Sequence, residues 1–124
     1  MPREFVPFDV KVIDDEFDAL RRSSSTDAAK LEFCINHFEE VSPKENPSPA
    51  MIESFGEGFK ELRHEKGAYK GRLLFYEPNL PKGTEDLVML VLFRKQTQKT
   101  PGAEIRKALR RMAQDIARRR AMEG

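Results

Sequence analysis

Cysteine is nearly absent from this chain of 124 residues: Cys34 stands alone, so neither a disulfide framework nor thiolate metal-ligand spacing is available. Long apolar runs are missing too. Leu87 to Phe93 is the longest, far short of the roughly 20 residues a membrane-spanning helix needs. The opening residues MPREF show no basic-then-apolar leader, so no export signal is expected. A reducing cytoplasm is the expected location, with no membrane partner. Zinc spacing, a Walker loop, a dinucleotide fingerprint and a nucleophile elbow are all lacking, and neither metal nor cofactor is expected. Net charge is small as well, at a formal +1, which by itself names no partner.

What the chain does have is an uneven distribution of charge. Residues 94–120 hold ten Lys/Arg against two acids, Glu104 and Asp115. The preceding residues 1–93 hold twelve against eighteen. A basic surface on an acidic body is the electrostatic footprint of a polyanion-binding protein, although a solvated helix face would look the same. A chain of this length can hide roughly two thirds of its unfolded surface, so residues 1–124 are expected to form one domain with one core.

Phe8, Val10 and Val12 alternate with Asp9 and Lys11, the pattern of a short strand with one buried face. Glu16 to Arg22 suits a short helix, ended by the serines and threonine at 23–26. Thr26 is then read as a helix cap, with Asp27 in the first turn where its charge suits the dipole. Leu31, Cys34, Ile35, Phe38 and Val41 make one apolar stripe, which Ser42-Pro43 ends. VSPKENPSPA (41–50) reads as a loop. FGEGFKELRHE (55–65) is expected to enter a strand at Phe59, and RLLFYE (72–77) is a second strand. EPNLPKGTED (77–86) supplies the turn signals of a hairpin. LVMLVLF (87–93), apolar on both faces, predicts a central strand covered on both sides. Thr100 as cap, Pro101 at the first helical position and Glu104 in the first turn open a last helix. Its stripe is Ile105, Ala108, Leu109, Met112, Ala113 and Ile116. The expected fold is α+β, an antiparallel sheet with two N-terminal helices and a C-terminal helix packed on one face.

The residues able to carry chemistry are cations at strand ends. Arg72, Leu74 and Tyr76 share one face of their strand, with Leu73 and Phe75 on the other. Arg63 lies on the preceding strand, and Arg94 and Lys95 leave the apolar strand on opposite faces, so only one of them can join a given cluster. Arginines on a sheet face suit a reaction in which charge builds on a phosphate, because the planar guanidinium holds two oxygens at once. Each alone reads first as an ordinary surface charge, and their position in elements otherwise given over to burial is what raises the functional reading. His37 and His64 lie in different elements without an Asp or Cys companion, and His64 faces away from Arg63.

FKELR (59–63), GRLLFY (71–76) and LVLFRKQTQKTPGAEIRKALRR (90–111) together resemble the phage-derived, HigB-like branch of the RelE/ParE toxin superfamily. Those proteins show an E-L-R strand, an R-hydrophobic-hydrophobic-Y strand and an F-x-K-K-T-Q-K-T-P junction into a final helix. The likeness is strongest over residues 59–111, and Gln96 stands where the family has a second lysine.

The resemblance implies a RelE-like fold and the toxin of a type II toxin-antitoxin pair. Its activity would be that of a ribosome-dependent, metal-independent mRNA endonuclease (an mRNA interferase) that inhibits translation. Partners would be the messenger RNA, the ribosome and a cognate antitoxin of helix-turn-helix type. Mapped by motif, Arg63, Arg72 and Lys95 would be the phosphate and transition-state cations. Tyr76 would stack on a base or assist proton transfer, or be a half-buried sheet tyrosine. Lys99, Arg94, Arg110 and Arg111 would contact RNA phosphates. Glu61 is either the general base or the salt-bridge partner of Arg63. Two alternatives stand beside this: a gyrase-inhibiting, ParE-like toxin, or a non-catalytic phage-derived protein that binds an antitoxin or nucleic acid.

Overall fold

The fold is described here from a computed structural model, which describes residues 3–41, 48–97 and 99–123. The elements in chain order are β1 (Glu4–Pro7), α1 (Val10–Ser23), α2 (Ser25–Glu40), β2 (Ala50–Ser54), β3 (Lys60–His64), β4 (Gly71–Tyr76), β5 (Asp86–Arg94) and α3 (Gly102–Glu123). The five strands form one sheet in the order β1-β5-β4-β3-β2. The α+β class is as expected, but the sheet is mixed, because β1 runs parallel to β5 while every other pairing is antiparallel.

The expected strand at Phe8–Val12 is instead the start of α1. Asp9 caps that helix, its Oδ1 accepting from Val12 N at 3.1 Å, so the apparent alternation is one turn of helix with Val10 left exposed. The strand lies just upstream, at Glu4–Pro7. Ser24 takes the place expected of Thr26: its amide closes α1 on Leu20 O, and its hydroxyl opens α2 by accepting from Asp27 N. The stop expected at Ser42-Pro43 and most of the proline-rich loop lie outside the described residues. Ala50, at the end of that loop, begins an edge strand that the composition hid.

The helices cover both faces of the sheet rather than one. Leu31, Cys34, Ile35 and Phe38 of α2 are buried against the Leu73 and Phe75 face, where Phe75 meets Phe5 and Phe38 edge-on at 5.2 and 6.0 Å. α3 lies across the Leu74 and Tyr76 face. Gly71 is required by the closeness of α2: a Cβ there would sit 3.0 Å from Asp27 O and 3.1 Å from Leu31 Cβ. β4, buried along its whole length, is the middle strand. β5, expected at the centre, is its inner neighbour.

β5 carries one extra residue opposite β4, since Leu74 pairs with Val91 and Phe75 with Met89. The carbonyl of that residue, Leu90, accepts from Arg111 Nη1 at 2.8 Å. β1 ends its pairing at Met89. Past that point Leu92 N donates to Glu16 Oε1 at 2.9 Å, and Glu16 pairs with Arg111 at 2.8 Å.

Candidate functional site

β3 and β4 run antiparallel with Glu61 opposite Leu74, which puts Glu61 and Arg63 on the sheet face shared by Arg72. Glu61 is fully buried. Its Oε1 lies 3.4 Å from Arg72 Nε and 4.0 Å from Arg63 Nε, and its Oε2 accepts the Thr100 hydroxyl at 2.9 Å. At 3.4 Å the Arg72 contact is one of charge rather than a hydrogen bond, and both atoms lack any other hydrogen-bond partner among the described residues. A buried carboxylate normally requires such compensation. Of the two roles expected of Glu61, the contacts formed are those of a salt-bridge partner, to Arg72 as well as to Arg63.

Arg72 is held from the other side by carbonyls, its Nη1 donating to Tyr69 O at 2.9 Å and Gly71 O at 3.0 Å. Its side chain is 6% exposed. Burial pushes the guanidinium below its ordinary value, an effect that Glu61 opposes and Arg63 reinforces. Arginine stays charged under any physiological condition, so a fixed cation is planted at the end of β4.

That end opens into a cleft of about 300 Å³ lined by Gly67, Lys70, Arg72, Lys95, Gln96 and Thr97. The junction between β5 and α3 forms one wall. Thr97 Oγ1 donates to Lys99 O at 2.6 Å, and Pro101 O accepts from Glu104 N and Ile105 N as α3 begins. Thr100, expected to cap α3, spends its hydroxyl on Glu61, and the helix starts one residue beyond Pro101.

The structure therefore brings Arg63, Arg72, Lys95 and Glu61 to one end of one sheet face. It takes several expected residues elsewhere. Arg94 leaves β5 on the opposite face, where its Nε donates to Asp27 Oδ2 at 3.0 Å. Arg111 is occupied by Glu16 and Leu90 O, with its guanidinium 5.0 Å from the Phe8 ring. Arg110 and Lys99 stay exposed on the surface, Lys99 on the junction that walls the cleft.

Tyr76 lies at the far end of β4 from Arg72, buried, with its hydroxyl donating to Asp115. Burial, then Asp115, drives its phenol well above the ordinary range. Asp115 also accepts from Arg118 and, at 2.8 Å, from Arg119 Nε. This network ties α3 to β4, and its aspartate was hidden within a helix face that reads as apolar and basic.

His64 lies on the α2 side, its Nδ1 accepting from Lys66 N at 3.0 Å. Burial and Lys30 lower its pKa. Among the described residues no group of three or more His, Cys, Asp or Glu is placed to hold a metal ion, and no helix is long and apolar enough to cross a membrane.

Two residues at this end of the sheet carry roles that local patterns do not signal or only suggest. Thr100 reads as a helix cap, and its bond to Glu61 has no sequence signature. Lys70, which lines the cleft, precedes Arg72 by two residues, the spacing that places both on one strand face.

The model of one protein family, described as "Phage derived protein Gp49-like (DUF891)", matches residues 15–113. That span includes every residue of the cleft and stops short of Asp115. No curated protein matches the chain.

Proposed function

This chain belongs to the phage-derived Gp49-like family, part of the RelE/ParE-like toxin superfamily, and on that premise we propose that it is the toxin of a type II toxin-antitoxin pair. Within the superfamily the junction from Phe93 to Pro101 favours the HigB-like branch. The activity is ribosome-dependent cleavage of messenger RNA in the cytoplasm, which inhibits translation. The partner that restrains it is an antitoxin of helix-turn-helix type.

The observation that carries this reading is Arg72: a buried cation, held by Glu61 and two carbonyls, beside Lys95 at an open cleft. In the reaction the substrate 2′-oxygen bonds to the adjacent phosphorus and the bond to the 5′-oxygen breaks. The 2′-hydroxyl gives up a proton and the leaving 5′-oxygen gains one. Negative charge builds on the phosphate oxygens between these events. Preorganised cations in a partly dry site act most strongly at that moment, because they do not need to reorient. Arg63, Arg72 and Lys95 supply this stabilisation and orient the strand. No metal enters the scheme.

One observation favours a second reading. Glu61 is enclosed and Tyr76 is committed to Asp115, so the cleft offers no accessible proton acceptor among the candidates. A chain that acts by binding alone, to gyrase in the ParE manner or to nucleic acid or antitoxin, needs none. The test is expression of the wild type beside Arg63→Ala and Lys95→Ala, with transcript ends mapped in translating ribosomes. The endonuclease reading requires new 5′ ends for wild type and at least tenfold fewer for both variants. Growth arrest without new ends, together with lost supercoiling by purified gyrase, would replace it with the gyrase reading.

A further inference from the structure

Lys70 and Lys95 face one another across the last rung of the β4–β5 ladder. Gly71 pairs with Arg94, and one step further Lys95 N donates to Lys70 O at 2.8 Å. Their side chains therefore project on the same face as Arg72. Like charges directly opposite on neighbouring strands destabilise a sheet, and neither lysine forms an ion pair with a described residue. Glu61, the buried carboxylate of this sheet face, is already divided among Arg63, Arg72 and Thr100. Among the described residues no carboxylate lines the cleft. Arg72 Nε has no hydrogen bond, although the side chain is nine-tenths buried. This concentration of positive charge exceeds what one phosphodiester neutralises.

We propose that the cleft is a two-phosphate site for single-stranded RNA. The scissile phosphate rests on Arg63, Arg72 and Lys95, and the next phosphate along the strand rests on Lys70, with Gln96 and Thr97 offering uncharged donors beside it. The proposal rests on the RNA reading of the same cleft and adds Lys70 as the residue that fixes the strand's register. The opposed lysines, unfavourable in the free protein, become favourable when a second phosphate lies between them.

The probes are three uncleavable 2′-O-methyl RNA trinucleotides. One has two phosphodiesters, and in each of the other two a neutral methylphosphonate replaces one of the two linkages. Affinity is measured across a salt series. For single strands the logarithm of the binding constant falls with that of salt by about 0.7 per neutralised phosphate. Wild type is expected to show a slope of about 1.4 with the diester probe, and about 0.7 when the linkage contacted by Lys70 is neutral. Lys70→Ala should lose that increment on the diester probe, and Lys70→Arg should regain it. Lys70 is exposed and only its backbone is bonded to described residues, so Lys70→Arg should unfold at the wild-type midpoint and Lys70→Ala at or slightly above it, as the repulsion from Lys95 is relieved.

Equal slopes for wild type and Lys70→Ala overturn the proposal, as does absence of binding to all three probes. Retained increments without cleavage in translating ribosomes would defeat the endonuclease reading alone. Cleavage with a single-phosphate slope would defeat the two-phosphate site alone.

Discussion

The Thr100 hydroxyl donates to Glu61 Oε2 at 2.9 Å, joining the β5–α3 junction to a carboxylate at the bottom of the sheet. The same carboxylate faces Arg72 at 3.4 Å. The junction, β3 and β4 are thus coupled through one buried charge. Glu61→Gln strands Arg72 without its counter-charge and should cost roughly 3–5 kcal/mol, the usual penalty for breaking a buried ion pair. Thr100→Val removes one hydrogen bond to a charged group and should cost about 1.5–3 kcal/mol. Urea unfolding of the two variants and their combination measures the coupling. A Glu61→Gln protein as stable as wild type would rule out this role.

The two neighbours at the end of β5 should separate stability from binding. Arg94→Ala leaves the buried Asp27 carboxylate without its 3.0 Å partner and should cost about 1–3 kcal/mol, with RNA affinity almost unchanged. Lys95→Ala should do the reverse, weakening RNA binding while leaving the unfolding midpoint at or slightly above that of wild type, because the repulsion from Lys70 is removed. Denaturation and oligonucleotide titration on both variants test this crossover.

Asp115 should shape the acid limb of stability. Burial alone would raise its pKa, but hydrogen bonds from Tyr76, Arg119 and Arg118 outweigh it and hold the carboxyl below its ordinary value. A carboxyl depressed in the folded state stabilises the protein fully above its unfolded value of about 3.9. That contribution disappears as pH falls through the lower folded value. Asp115→Asn should therefore be less stable than wild type at neutral pH, and the gap should narrow below about pH 4. Unfolding midpoints measured from pH 7 down to acid would show it, and a constant gap would contradict it.

Cys34 should be inert while the chain is folded. Burial, helped by Glu65, pushes its thiol up to about 11, and the side chain has no solvent contact. Alkylation at pH 8 should require denaturant, followed by mass spectrometry. Labelling of the native protein at the rate of a free thiol would show that α2 opens readily from the sheet.

The C-terminal half of the fold was legible because its signals are local and agree. β4, β5 and α3 each combine periodicity with turn or helix-start residues, and the opposed directions of Arg94 and Lys95 follow from strand geometry alone. The N-terminus was not, because Phe8, Val10 and Val12 satisfy a two-residue period by accident while Asp9 acts as a cap. β2 was hidden by proline-rich surroundings and by its edge position. At the site, Arg63 and Arg72 could be placed on one face. That Glu61 would be enclosed by them, and that Thr100 would turn inward, depends on the approach of α3, which no local pattern encodes. Arg111 shows the same limit from the other side: its charge is visible in the sequence, but its engagement with Glu16 spans two distant helices.

That engagement has a consequence for the molecule in company. β1 is too short to cover β5, which leaves a stretch of inner strand with backbone groups open to any passing chain, the situation that leads sheets to add strands from neighbours. Glu16 and Arg111 occupy those groups as a surrogate strand would. Replacing both with alanine should promote association through β5 beyond that of wild type. Sedimentation across a concentration series would reveal this as a rising average mass, in a protein whose cleft residues are all left in place.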